Sequence, residues 1–558
     1  MKEKIANLED VRDTTYFEAK ESLSLSPLPK DPTRKNLKVL LVYPNYSMVN
    51  LLPTNIGILT ACLRQNGFIV DLFDTTFYRT SEKTLDEIRV ENLQLRKFSL
   101  EEFGVSFKPG NYIDDFKQKV AEFKPDLIGV TVVEDTWPQA RALIESVRDC
   151  PAAVLVGGVF ATLAPELPIR HPDVDAICIG EGEHAIIEIA TKLWKREDWS
   201  RVQNLWVKKG GEIIKNPIRP PIPMDEVPFA DFDLFDKERF YRPMQGQIMR
   251  MAPIETDRGC PYKCRFCEAP SLVGFYKENT GQYYFRRKSW ARVEEEIKLY
   301  IQKYGVNYIY FNAETFLAMS EAEFDKFAAI YRNIRLPFWM QTRIETLTER
   351  RVRLLEEVNC NRISIGLEHG NEEFRRKIVG KGFTNQQVIE VFRLLDKSSI
   401  PITVNNILGF PGETRQYIFD TIELNRQLGT DSVNAFYFTP YRGTAMRKDA
   451  VEKGYVTEDS ETGAPITGTF ALSLPTITRE EIMGMVRTFS LYVKFPSEEW
   501  PEIALAEKFT AEGNAKFEEL SRRYYERFFD HDFKYTKKAC FSTHSYGQGK
   551  VATEDIPA

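Results

Sequence analysis

The chain has 558 residues, 43% hydrophobic and 28% charged, with a formal net charge of −6. That balance suits soluble folded domains and disfavours a nucleic-acid surface, which needs a basic stripe. No apolar run approaches about 18 residues, the start MKEKIANLEDVRDTTYFEAK has no secretory core, and eight cysteines are too few for a disulfide scaffold, so a cytoplasmic protein without a membrane span is expected.

Residues 1–36 are polar and read as a lead-in arm. Then LKVLLVYP (37–44), IVDLF (69–73), LIGVTVV (127–133), AAVLVGG (152–158) and DAICIGEGE (175–183) form short apolar runs, the pattern of strands buried on both faces. Helical patterns fall between them at 54–67, 136–149 and 183–195. The alternation predicts a parallel, doubly wound (Rossmann-like) α/β domain over 37–212, with 80–124 as a polar helical insertion. NPIRPPIPMDEVPF (216–229) holds five prolines and predicts a stiff linker within 213–245. Strand and helix then alternate again, in roughly six βα units that suffice for a (β/α)6-type partial TIM barrel over 246–478. Residues 479–558 carry apolar and aromatic residues at helical spacing and predict a helical C-terminal cap.

One stretch in the second domain concentrates chemistry: TDRGCPYKCRFCEAP (256–270), with Cys260, Cys264 and Cys267 inside eight residues. A structural zinc site wants four ligands, usually as two close pairs, and there is neither a second pair nor a nearby histidine. An iron–sulfur cubane takes cysteine thiolates, and three of them leave one iron open to a small chelating ligand.

The Cys-x3-Cys-x2-Cys spacing, with Phe266 before the last cysteine, resembles the radical S-adenosylmethionine superfamily. The resemblance implies that Cys260, Cys264 and Cys267 ligate a [4Fe-4S] cluster. It also implies that S-adenosylmethionine chelates the open iron and is cleaved to a 5′-deoxyadenosyl radical. It runs on through 250–445. YFNAETF (310–316) matches the family's acidic motif, which puts Asn312 and Glu314 at the methionine amino group. QTRIETL (341–347) implies Gln341 and Arg343 at the carboxylate or ribose, and IGLEHGNEEF (365–374) implies Glu368 at the ribose. LGFPGET (408–414), with Gly409, matches the turn near the adenine, where Phe266 also packs. Two departures stand out: His369 replaces the family's serine, and Arg442 replaces a proline in TPYRGTAM (439–446). With Tyr441, they are the candidate substrate contacts. All these motifs fall at C-terminal ends of predicted parallel strands, where barrels place their sites.

In the first domain no G-x-G-x-x-G follows the first strand, which disfavours a dinucleotide. VGGVFATLAPE (156–166) and ICIGEGEHA (177–185) resemble the cobalamin-binding domain that precedes many of these barrels. The implied contacts are Gly157, Gly158, Val159, Gly180, Glu181 and Gly182, with Val132, Val133, Glu134 and Trp137 from the loop VVEDTWPQ facing the cobalt. The Asp-x-His-x-x-Gly motif is missing, and neither His171 nor His184 has its context, so no histidine is expected below the cobalt. The whole pattern is similar to the class B methyltransferases of the family. These imply hydrogen abstraction from an unactivated carbon of a small-molecule or natural-product substrate, methyl transfer from methylcobalamin, and an external flavodoxin- or ferredoxin-type electron donor. A cobalamin-binding cyclase or oxidoreductase, and a metal-stabilised non-catalytic binding protein, are the alternative readings.

Overall fold

The computed structural model describes residues 27–461 and 470–529; most of the expected N-terminal arm and the cap beyond residue 529 lie outside the described residues. The first sheet comprises β1 (Lys38–Tyr43), β2 (Ile69–Asp74), β3 (Leu127–Thr131), β4 (Ala153–Gly157), β5 (Ala176–Cys178), β6 (Leu205–Lys209) and β7 (Glu212–Lys215). Its order is β2-β1-β3-β4-β5-β6-β7. The first five strands pair in parallel and the last two antiparallel. Val39 to Val42 are buried, so helices cover both faces of the sheet's centre, as the apolar runs require.

Two local features depart from the sequence pattern. Gly210 and Gly211 both have positive φ, 60° and 84°, which closes a two-residue turn between β6 and β7. The sheet therefore runs to Lys215, past the boundary expected at 212. The polar segment 80–124 also divides. Helix Tyr112–Phe123 buries Phe116 and Val120 in the core under the sheet and is the crossover from β2 to β3. Only the earlier part, with helix Leu85–Glu91, is an excursion, and its Gln94 amide donates to the carbonyl of Ala435 in the second domain (3.0 Å).

The second domain opens with the hairpin β8 (Tyr241–Met244) and β9 (Gln247–Glu255), followed by the short antiparallel pair β10 (Asp257–Arg258) and β11 (Arg286–Arg287). Then come β12 (Tyr308–Asn312), β13 (Phe338–Thr342), β14 (Cys360–Glu368), β15 (Ile402–Leu408) and β16 (Ser432–Tyr437). The main sheet has the order β16-β15-β14-β13-β12-β9-β8, and from β9 to β16 every pair is parallel. These six parallel strands make the expected partial barrel. Its outer helices start at hydroxyl residues written in the sequence. Ser289, Ser320, Thr348, Thr384 and Thr414 each accept an N–H three residues on, satisfying a donor the helix itself leaves open.

The open edge at β16 is covered by helix Arg479–Lys494, which packs on β16 and on helix Arg415–Arg426. The Arg426 guanidinium donates to the carbonyls of Tyr492 (2.7 Å) and Val493 (3.2 Å), the last acceptors of that helix. The expected cap is thus an edge cover, which blocks strand addition. Between β12, β13 and their helices lies an aromatic cluster centred on Phe327. Its ring sits 5.0 Å from Trp290, 5.1 Å from Phe316, 5.2 Å from Tyr331, 5.8 Å from Phe338 and 5.9 Å from Phe311. Phe327→Ala is expected to lower the barrel's unfolding free energy by about 3–5 kcal/mol, read from denaturant melts followed by tryptophan fluorescence. A loss below about 1 kcal/mol would show that this cluster is not the packing centre.

Candidate active site

The carboxyl ends of the two parallel sheets face each other across one cavity of about 460 Å³. From the first domain Thr131, Gly157, Gly158, Val159, Gly180, Glu181 and Gly182 line it; from the barrel side come Cys267, Asn312 and Glu314. The crevice lies where doubly wound sheets and barrels both place ligands.

The three cysteines sit in the loop after β10. Gly259, with φ 86°, lets this loop turn against Phe285, whose Cα would stand 3.1 Å from an added Cβ. Each sulfur has its own neighbour: Arg343 Nη1 lies 2.9 Å from Cys264 Sγ, Thr315 Oγ1 3.6 Å from Cys260 Sγ, and the Ala269 N–H 3.5 Å from Cys267 Sγ. Burial pushes the Cys260 thiol up to about 12 and the Cys267 thiol well above its usual range, so ionised sulfurs here need positive charge. Among the described residues no three His, Cys, Asp or Glu side chains converge as they would around a single ion. Three sulfurs with separate donors suit a polynuclear cluster, whose irons are ligated one by one.

Asn312 and Glu314 project into the cavity, where their side chains meet its solvent. The enclosing protein, and then Asp257, push the Glu314 carboxyl up to about 7. Glu314 has no ion-pair partner among the described residues. An uncompensated carboxylate in a walled cavity fits a ligand carrying an ammonium and a sulfonium, as S-adenosylmethionine does. The opposite wall is made of small residues at strand ends, with Asn55 donating to Thr131 Oγ1 (3.0 Å) at its edge. That surface suits the flat macrocycle of cobalamin, and no histidine among the described residues lines it.

The structure gives several expected contacts other work. Arg343 is held by Cys264 and by Glu345 (2.6 Å), and is not free in the cavity. The Gln341 side chain lies in the barrel lumen and donates to the Ala313 carbonyl (3.0 Å). Glu368, at φ 66°, pairs with Lys381 (2.8 Å). Gly409 is packed behind the Phe470 ring, and its N–H donates to Glu413. Phe266 packs on Phe410 with centroids 6.1 Å apart. His369 is fully buried, its Nε2 3.0 Å from Glu413 Oε1, so its imidazole fills the space of the family's serine in the core and does not line the cavity.

The loop after β3 is a latch between the domains and no part of the cavity wall. The Tyr441 hydroxyl donates to Asp135 Oδ2 (2.7 Å), the Arg442 N–H donates to Glu134 Oε2 (2.8 Å), and the Arg442 guanidinium pairs with the same carboxylate. Val132 and Trp137 are core residues, Trp137 packing on Phe160, and Val133 is exposed. Tyr441, Arg442, Glu134 and Trp137 are therefore committed to structure. Gly158, at φ 107°, has the carbonyl of Val132 2.3 Å from an added Cβ, so glycine is required by that close backbone approach.

Arg258, Arg286 and Tyr276, which sequence reasoning missed, tie the cavity's rim together around Glu181. Glu181 accepts from the Ile222 N–H (2.8 Å) and from Arg258 (2.9 Å), and pairs with Arg286. Arg258 also pairs with Glu183 (2.7 Å) and Glu255 (3.1 Å). Tyr276 gives its hydroxyl oxygen to the Glu181 N–H (2.8 Å) and stacks on Tyr284 at 4.4 Å. The signal available in sequence was the YYFRRK stretch (283–288), basic and aromatic just after the cysteine loop.

Comparison with known proteins agrees with this geometry. The B12 binding domain model matches residues 49–190, and the Radical SAM superfamily model matches residues 254–424. An uncharacterized methyltransferase of Pyrococcus horikoshii is 28% identical over 342 residues, covering 60% of this chain and 72% of that protein. The anaerobic magnesium-protoporphyrin IX monomethyl ester cyclase of Rubrivivax gelatinosus is 24% identical over 340 residues, 59% of each protein. The structure of TsrM from Kitasatospora setae, a radical S-adenosylmethionine methyltransferase with cobalamin and a [4Fe-4S] cluster bound, superposes with a TM-score of 0.61 at 18% identity, over 88% of this chain and 99% of that one. The two family models accordingly imply a [4Fe-4S] cluster, S-adenosylmethionine and cobalamin as cofactors. The chain belongs to the radical S-adenosylmethionine enzymes that carry a B12-binding domain.

Proposed function

We propose that the protein is a cobalamin-dependent methyltransferase that acts on a small-molecule substrate and draws electrons from an external flavodoxin- or ferredoxin-type donor. The observation behind this reading is the single cavity onto which both the small-residue strand ends of the first domain and Cys267, Asn312 and Glu314 of the barrel open. When bound, the cluster supplies one-electron cleavage of a sulfonium and cobalamin supplies a transferable methyl group. The chain's own part is to hold and orient. Cys260, Cys264 and Cys267 provide the cluster's thiolates, and Arg343, fixed by Glu345, sets a positive charge against Cys264. Asn312 and Glu314 accept the ligand's ammonium. The strand ends at Gly157 and Gly180 seat the macrocycle, and the latches keep the two halves of the cavity in register.

The likeness to a cyclase supports a second reading, ring closure or oxidation without methyl transfer. Mass spectrometry of the product separates the two. Methyl transfer is expected to give a product heavier by one methyl group, with one S-adenosylmethionine converted to 5′-deoxyadenosine and a second demethylated in each turnover. A product with no added methyl establishes the cyclase-type reading instead.

Glu314→Gln keeps the shape and removes the charge. It is expected to weaken S-adenosylmethionine binding roughly 10- to 100-fold, the range for a lost charge-assisted hydrogen bond. Equilibrium dialysis on the cluster-loaded enzyme measures this, with iron content unchanged as the control. Unchanged affinity would remove Glu314 from the ammonium site.

A further inference from the structure

A second cavity, of about 410 Å³, occupies the lumen of the partial barrel. Its walls are the inward residues of successive strands. Tyr310 pairs in register with Trp339 and Trp339 with Arg362; Gln341 pairs with Ser364, Ser364 with Thr403, and Thr403 with Ser432. The β8–β9 hairpin and the excursion around residues 85–100 close the end near the strands' N-termini. Four guanidinium groups from four places in the chain line it: Arg89, Arg96, Arg242 and Arg362. Among the described residues, the carboxylates lining it are Asp86 and Asp431.

Two of these cations, Arg242 and Arg89, keep an unsatisfied nitrogen, although Arg89 also pairs with Asp86 (3.4 Å). The Nη1 of Arg242 and the Nε of Arg89 are buried without a hydrogen-bond partner, as is Asn434 Oδ1. Arg242 lies over the Tyr310 ring (4.9 Å), which stacks on Trp339 at 4.1 Å and 10°. Arg362 donates to the neutral Thr403 hydroxyl (2.6 Å). Burial lowers the pKa of both Arg242 and Arg362; Tyr310 and Asp86 oppose this at Arg242 and Asp431 and Tyr308 at Arg362, while Arg89 pushes both down and Arg96 also acts on Arg362. Enclosed cations that repel one another are costly unless an anion meets them. Guanidinium forks match the oxygens of phosphoryl, phosphonyl and carboxyl groups.

We propose that the barrel lumen is an anion subsite that anchors the acidic end of a small-molecule substrate. Arg242 and Arg362 grip the anion, and the Tyr310–Trp339 stack forms the wall beside it. Naming the ligand a substrate rests on the enzyme reading above; the anion site itself does not. The cavity lies within the size range of small-ligand pockets. Gln341 lines this cavity and donates to the carbonyl of Ala313, which lies between Asn312 and Glu314 of the cofactor cavity, so in this proposal the substrate's other end reaches toward the cluster.

The test is binding of inorganic pyrophosphate and of citrate to the full-length enzyme loaded with cluster and cobalamin. It is done by calorimetry at low ionic strength, without S-adenosylmethionine or reductant. At least one probe is expected to bind, and the stronger of the two assigns the phosphate or the carboxylate class. Arg362→Gln and Arg242→Gln should each weaken it roughly 10- to 100-fold. Arg350→Gln, at an exposed surface pair with Glu321, should leave it unchanged. Equal cobalamin and iron contents show that the variants are folded. Trp339→Phe should abolish any fluorescence change on binding while leaving the affinity within about threefold. Binding of neither probe, or equal binding in the parent and both lumen variants, overturns the proposal. Because no turnover is involved, a failure of methyl transfer leaves this result standing, and a failure here leaves the methyltransferase reading to its own test.

Discussion

Everything in the molecule's chemistry depends on holding the carboxyl ends of two independent parallel sheets face to face, and one buried carboxylate ties three segments at that junction. Glu181 lies in the loop after β5 and reaches the β10–β11 pair through Arg258 and Arg286 and the proline-rich linker through the Ile222 N–H. Burial alone would raise its pKa; Arg286 and then Arg258 reverse that and hold the carboxyl below its ordinary range. The neighbouring Glu183 shows the opposite balance, raised by burial because it shares Arg258 with Glu181 and Glu255. A buried ion pair is weak evidence of net stability but strong evidence of geometry, since removing one partner leaves the other unpaired in a low-dielectric site.

The same requirement explains where the chain departs from the family's sequence pattern. Arg442 stands in place of a proline because its position reaches across to the loop after β3, where Glu134 takes both its N–H and its guanidinium. Tyr441 meets Asp135, and Tyr46 donates to the Asp135 carbonyl (2.8 Å), so the latch joins the barrel to two loops of the first domain. His369 belongs to a different tie. Its Nδ1 accepts the Asn371 N–H (3.0 Å) and its Nε2 faces Glu413, which fixes the Gly409–Phe410 turn against β14. From sequence, such departures suit a substrate contact or a packing change equally; in the structure Arg442 is engaged by Glu134 and His369 by Glu413.

Much of the fold was legible because its signals are local. Runs of branched apolar residues mark the buried strands, and hydroxyl caps mark the barrel helices. The cysteine loop was legible because its spacing is chemistry within eight residues. What stayed hidden is set by partners far away in sequence. Trp137 at a strand-end loop looks like a ligand contact until Phe160 and the core of the first domain are placed around it. Gln341 sits next to Thr342 and Arg343 in a motif that reads as one unit. Strand alternation sends its side chain into the lumen, while Arg343, just past the strand, turns to the cysteine loop. Glu181 reads as a cofactor contact because Arg258 and Arg286 lie beyond the linker.

The lumen itself shows how a strand can carry two messages. Residues Met340, Ile363, Ile365, Val404 and Val433 face the helices and are buried, as a barrel requires. The alternate positions are polar at Gln341, Arg362, Ser364, Thr403, Asn405, Ser432 and Asn434, with Tyr310, Trp339 and Phe436 as aromatic wall. A closed barrel fills such positions with branched apolar side chains packed in layers. Here Asn434 donates to Asn405 (2.9 Å) and Asn405 to Ser364 (2.8 Å), a side-chain ladder that keeps the interior open and hydrogen-bonded. Six strands leave more interior than side chains of this size can fill, and polar lining makes the remainder a place for a ligand instead of a void. The period-two pattern of WMQT, RISIG, ITVNN and SVNAF therefore encodes a largely polar lumen as plainly as it encodes the strands.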